Sequence, residues 1–143
     1  MNTRQHTISK EVSIEGVGLH TGLAVKLSFK PAGVNEGFVF VRSDMDDHPS
    51  IPAQAKYVDT TARGTTLKKG NAEVNTVEHV LAALVGMGID NCIMELTGPE
   101  IPILDGSAEP FVKILEEAER SEQEAEREYF EIREPIVYKN KDE

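Results

Sequence analysis

A single cysteine, Cys92, is all the sequence offers to sulfur chemistry. An intrachain disulfide is excluded, and so is any multi-cysteine zinc or iron–sulfur site. No apolar run approaches the length of a membrane span. The N-terminal stretch MNTRQHTISKEVS holds no apolar segment of the kind a secretory signal needs. Cations are scarce: 15 Lys and Arg stand against 25 Asp and Glu, a net charge of −10. That balance disfavours nucleic acid or an anionic membrane surface as a partner. The Gly-Lys-Ser/Thr ending of a phosphate loop is missing, as is the His-Glu-x-x-His of a helical zinc site. These absences leave a soluble domain of a reducing compartment, with the cytoplasm as the expected location.

What is present is one domain's worth of chain. Its 143 residues are 39% hydrophobic and 28% charged, enough for a core and too apolar for wholesale disorder. The acid is unevenly spread. Between Glu116 and Glu134 stand nine Glu and three Arg, a net of −6. That block reads as the solvated end of a helix followed by a linker. Beyond it, residues 129–138 alternate weakly as a strand through Phe130, Ile132, Ile136 and Val137. Such a strand opens a new unit with nothing to pair against, as if the chain were cut short.

The earlier segments mix two periods. Ile8, Val12 and Ile14 predict a first strand that ends at the glycines of GVGLHTG. Leu23, Val25, Leu27 and Phe29 place apolar groups on one face of a second, with Lys26, Ser28 and Lys30 opposite. Pro31 to Gly33 turn the chain, and residues 38–41 predict a third strand. Thr65 to Leu67 and Ala72 to Val74 flank KKGN, a hairpin turn. A helix is expected over 75–87, with Asn75 as N-cap, Glu78 at the capping-box position and Val77, Leu81 and Leu84 on one face. Gly86 and Gly88 end it, and Asn91 to Leu96 form a short buried strand. Ser107 caps a second helix with Pro110 in its first turn and an inward stripe of Phe111, Ile114, Leu115 and Ala118. The class is α+β.

Few residues have the makings of chemistry. Glu78 and His79 adjoin in the first helical turn, and Ala82, Ala83 and Gly86 keep the face beside His79 small. Glu78 could equally be a helix cap, and His79 a packed histidine. His6, His20 and His48 are scattered and read as surface or turn residues. His20 stands out because its glycine-rich turn lets backbone approach a substrate. Glu100 and Asp105 lie on a proline-stiffened loop, where two carboxylates can do acid–base work or hold the loop through backbone hydrogen bonds.

Four motifs in order, GVGLHTG (16–22), TVEHVLAAL (76–84), GIDNC (88–92) and EIPILDGSAEPF (100–111), closely resemble the UDP-3-O-acyl-N-acetylglucosamine deacetylases. These are zinc amidases that commit lipid A synthesis. The resemblance covers about residues 5 to 138 and implies a sheet with two α-helices on one face, the ribosomal S5 domain 2-like build. It implies that residues 1–126 are the first of two similar domains. Residues 127–143 would then be a linker and the opening strand of a second domain absent from this chain.

By the same resemblance Glu78 is the general base that takes a proton from the attacking water, and His79 is one of three ligands to Zn2+. The other two ligands and a general-acid histidine lie in the second domain, the ligands in a His-Lys-x-x-Asp motif that this sequence lacks. The segment Asp59 to Gly64 (DTTARG) matches a loop lining the active-site floor, where Thr60, Thr61 and Ala62 face the substrate. It departs from the usual apolar version of that loop at Thr61, Ala62 and Arg63. His20 and Asp105 take supporting positions. The expected substrate is UDP-3-O-acyl-N-acetylglucosamine, and the isolated chain is expected to be inactive, with zinc held only once the second domain is present. The competing expectation is a stand-alone, non-catalytic module that binds a lipid or a protein.

Overall fold

The structure, a computed structural model, describes residues 3–140. Strands β1 (Arg4–Ile8), β2 (Val12–Val17), β3 (Ala24–Pro31), β4 (Phe38–Arg42) and β5 (Ser50–Pro52) come first. A 3-10 turn at Ala55–Tyr57 leads into β6 (Val58–Thr60), β7 (Thr66–Lys69) and β8 (Ala72–Val74). Then follow α1 (Glu78–Gly86), β9 (Cys92–Leu96), α2 (Glu109–Ala118) and β10 (Arg120–Glu126). The main sheet has the order β2-β3-β9-β4-β5, with only β4 and β9 parallel. Strands β6, β7 and β8 form a small antiparallel sheet, and β1 pairs with β10. The α+β expectation is borne out, with two helices and mixed sheets.

Alternation along β3 drives the core. Val25, Leu27 and Phe29 are buried and pack in one cluster with Met94 and Leu96 of β9, Val80 and Leu84 of α1, and Phe111 and Leu115 of α2. Both helices therefore cover the same face of the main sheet. Burying a side chain of this size contributes about 1.5–3 kcal/mol. Helix α1 ends as its glycines require. Gly88 takes φ +67°, its N–H reaches the Val85 carbonyl and that of Ile89 reaches Leu84, a Schellman closure.

Several sequence expectations are corrected. The first strand is two, β1 and β2, broken at Ser9–Glu11 where the Ser9 N–H turns aside to the carbonyls of Ala118 and Glu119. Leu23 lies outside β3 and is exposed, while Ser28 is buried against Ser13, its hydroxyl partner at 2.9 Å. Most of all, the charged block does not prolong α2. That helix stops at Ala118, Glu119 adopts φ +58°, and the chain reverses into β10. Ser121, Gln123 and Ala125 point inward on β10 while the glutamates point out. The helix cap expected of Ser107 stands one residue early: its hydroxyl accepts the Glu109 N–H from outside the cap position, Ala108. Residues 127–140 form no strand, and the last three residues of the expected linker and strand lie outside the described residues.

A buried amide network explains GIDNC. Asn91 accepts the Gly37 N–H at 2.7 Å and donates to Gln5 and Gln123, each at 2.8 Å. It joins β1, β10 and the loop before β4, a structural duty.

Candidate active site

The capping box expected at Asn75 and Glu78 does not form. Asn75 sits in a bridge with Glu100, accepts the Thr66 hydroxyl at 2.7 Å and donates to the Pro99 carbonyl. The cap position falls to Val77, because Thr76 takes φ +61° and turns the chain before the helix can start earlier. Glu78 is thus the first residue of α1, and its Oε2 accepts the Thr65 N–H at 3.0 Å. Gly64 lies beside it: a Cβ there would meet Oε1 of Glu78 at 3.3 Å. His79 is half-buried, and its imidazole makes no hydrogen bond among the described residues.

The GVGLHTG loop closes over the same place. Gly18 N–H donates to the Leu23 carbonyl and Gly22 N–H to that of Gly18, which bends β2 into β3 and holds His20 at the tip. His20 Nε2 lies 3.2 Å from the carbonyl of Arg63. A carbonyl only accepts, so Nε2 is the donor in this contact.

Beneath the loop lies Glu100, fully buried. Its carboxylate accepts the N–H groups of His20 and Thr21 and the hydroxyls of Thr21 and Thr76. Burial works to raise its pKa, but the donors from Thr21, His20 and Thr76 outweigh it and hold the carboxyl below its ordinary range. The loop-holding alternative is the one the geometry shows for Glu100.

The structure therefore gathers His20, Arg63, Gly64, Thr65, Glu78 and Glu100 into one cluster. Thr60, Thr61 and Ala62 are exposed on the adjoining loop, where the Thr60 hydroxyl accepts the Ala62 N–H at 3.2 Å. Asp105 is not drawn in. It is exposed and accepts the N–H and hydroxyl of Ser107, and those hydrogen bonds lower its pKa. His48 is a turn residue, its N–H on Met45. His6, expected at the surface, is instead buried in β1 with its ring on the Arg4 carbonyl. Thr76 and Thr65 were missed by sequence reasoning, since neither type signals chemistry. Gly64 alone hinted at the close approach.

The family model for UDP-3-O-acyl N-acetylglycosamine deacetylase (LpxC) matches residues 5–143. The chain belongs to this deacetylase family. It is 51% identical over 132 residues to a UDP-3-O-acyl-N-acetylglucosamine deacetylase of Myxococcus xanthus, covering 92% of this chain and 42% of that protein. A second such deacetylase, from Anaeromyxobacter sp., is 48% identical over 96% of this chain and 45% of its own length. A bifunctional LpxC/FabZ enzyme of Chlorobaculum tepidum is 49% identical over 98% of this chain and 30% of its own. The chain spans less than half the length of these relatives, and the resemblance carried by the four motifs is borne out over nearly all of it.

Catalytic zinc takes three protein ligands. Among the described residues no three His, Cys, Asp or Glu side chains gather to hold a metal. No helix among the described residues is long and apolar enough to cross a membrane.

Proposed function

We infer that this chain supplies one half of a cytoplasmic, zinc-dependent deacetylase that removes the N-acetyl group of UDP-3-O-acyl-N-acetylglucosamine in lipid A synthesis. Residues 1–126 are its first domain, and 127–143 are the connector to a second, whose opening strand this segment would form only with that domain to pair against. The observation that carries this reading is the placing of Glu78. Thr65 occupies Oε2 and leaves Oε1 beside Gly64, where the missing side chain admits a water or a substrate.

Zinc, when bound, lowers the pKa of water and polarises an amide carbonyl. The residues of this chain do the rest of their half. Glu78 takes the proton of the attacking water through its free oxygen. His79, next in sequence and without another hydrogen bond, offers its imidazole as a ligand. His20, with Nε2 on the Arg63 carbonyl, takes a supporting place beside them. Thr60, Thr61 and Ala62 line the floor, and Asp105, which bonds to Ser107 within its own loop, has at most a supporting part from outside the cluster. Ligands from a second domain, His-Lys-x-x-Asp, complete the zinc site.

The test is acetate release from UDP-3-O-acyl-N-acetylglucosamine. The chain joined to its downstream coding sequence is expected to be active and the chain alone inactive. Calorimetry of the chain alone is expected to show weak zinc binding or none, with any weak binding lost in His79→Ala. Enzyme-like acetate release by the isolated chain, or a tight stoichiometric zinc site in it, would overturn the half-site reading. A downstream frame without His-Lys-x-x-Asp would favour a non-catalytic module that binds a lipid or a protein.

A further inference from the structure

Among the described residues Glu100 is the one buried acid, 1% exposed. Removing a carboxylate from water is costly unless its oxygens are filled by donors. Here every donor is uncharged, and the donors come from two separate places. His20 and Thr21 belong to the loop between β2 and β3, with the Thr21 N–H and hydroxyl both at 2.8 Å. Thr76, at 2.9 Å, stands two residues before Glu78. Thr76 is also β-branched and left-handed, a conformation such a residue keeps only under constraint.

These contacts close a ring. Glu100 holds His20, His20 touches the Arg63 carbonyl, and Gly64 and Thr65 follow in the chain. Thr65 holds Glu78, and Thr76 leads back to Glu100. Two arcs of the ring join the His20 loop to the start of α1, one through Arg63 to Thr65 and the other through Glu100, which alone grips both the loop and Thr76. Gly18 fits the same purpose, because a Cβ there would overlap Oε2 of Glu100 and the Thr21 hydroxyl.

We propose that Glu100 is a positioning residue of the deacetylase: it clamps the His20 loop to left-handed Thr76 and so sets the spacing between His20 and the Glu78–His79 pair. The proposal rests on the roles given to those residues above. Glu100 touches no substrate and acts through the two segments it joins.

Glu100→Gln tests it, since the amide nitrogen cannot accept, so the backbone N–H groups of His20 and Thr21 compete for one oxygen and a facing threonine hydroxyl must turn from donor to acceptor. Amide hydrogen exchange in the full-length deacetylase reads the clamp directly. The amides of His20, Thr21 and Thr65 are expected to exchange at least ten-fold faster in the variant, with those of β3 and β9 within two-fold of wild type. In kinetics kcat is expected to fall at least ten-fold with KM changed less than three-fold, and Glu100→Asp, which restores a carboxylate, to recover part of kcat. If Glu100→Gln does not fold, Thr76→Ala removes a single donor and is expected to speed exchange at Thr65. Unchanged exchange at Thr65, acceleration spread evenly over the sheet, or kcat within two-fold of wild type would each overturn the proposal. A wild-type protein without deacetylase activity would overturn the functional reading instead, and the exchange pattern would still decide the clamp.

Discussion

Oε2 of Glu78 accepts the backbone N–H of Thr65 at 3.0 Å, so the carboxylate is anchored to the start of the β7 hairpin and not to its own helix. One oxygen is committed and the other left over, which is the geometry a proton acceptor needs.

Glu78→Gln separates those two duties. The amide oxygen can still take the Thr65 N–H, so stability should change by less than about 1 kcal/mol, the worth of one such hydrogen bond. Deacetylation by the full-length protein should fall by about 10²- to 10⁴-fold, the usual yield of a general base. Thermal unfolding beside kcat checks it. A variant that keeps its activity removes Glu78 from the chemistry.

Gly18→Ala should damage the site without touching a catalytic group. Its new Cβ collides with Glu100 and with Thr21, so the His20 loop must lift. A loss of roughly 1–3 kcal/mol is expected from such overpacking. Gly86→Ala is the control, because nothing lies within 4 Å of a Cβ added there. Urea unfolding of both variants decides; equal midpoints would contradict the close approach.

Acid sensitivity should follow Asp44. Arg42, buried, grips it through Nε and Nη2 at 2.8 Å each and donates Nη1 to the Glu73 carbonyl at 2.7 Å. The Arg42 hydrogen bond holds the Asp44 carboxyl below its ordinary 3.8. A carboxyl depressed by folding adds stability that is complete above its unfolded pKa and lost as pH falls through the folded one. Asp44→Asn should therefore cost about 1–2 kcal/mol at pH 7 and progressively less below pH 3.8. Denaturant midpoints at pH 7 and at pH 3 measure this, and an equal cost at both would refute it.

The thiol of Cys92 should be inert in the folded protein. Burial pushes its pKa up to about 12, and the thiol sits 3.6 Å from the Lys30 carbonyl, to which it donates. At pH 8 a disulfide reagent should label it only after guanidinium unfolding, since the thiolate is the reactive form. Rapid stoichiometric labelling of native protein would show that β9 opens.

Local pattern was legible where its cause was local. The alternation of Val25, Leu27 and Phe29, the KKGN hairpin, the Phe111–Leu115–Ala118 stripe and the glycine stop of α1 all appear where the residues call for them. Each depends on neighbours within a turn or two.

The family, too, was legible, because its motifs are contiguous words: GVGLHTG, TVEHVLAAL, GIDNC and EIPILDGSAEPF. What tertiary structure alone decided were pairings across long stretches of chain. Residues 120–126 hold the charges of a solvated helix end, yet they form a strand because Ile8 lies opposite Arg120 and Arg4 opposite Glu126. Asn75 and Glu78 have the spacing of a capping box, yet Glu100, 24 residues on from Thr76, takes the Thr76 hydroxyl and leaves Glu78 to Thr65. A one-dimensional pattern records which side chains can bond. Only the packed chain settles which of them meet, because Thr76 turns the chain before the helix and the Asn75 N–H and side chain go to Pro99 and Thr66, so no box can close.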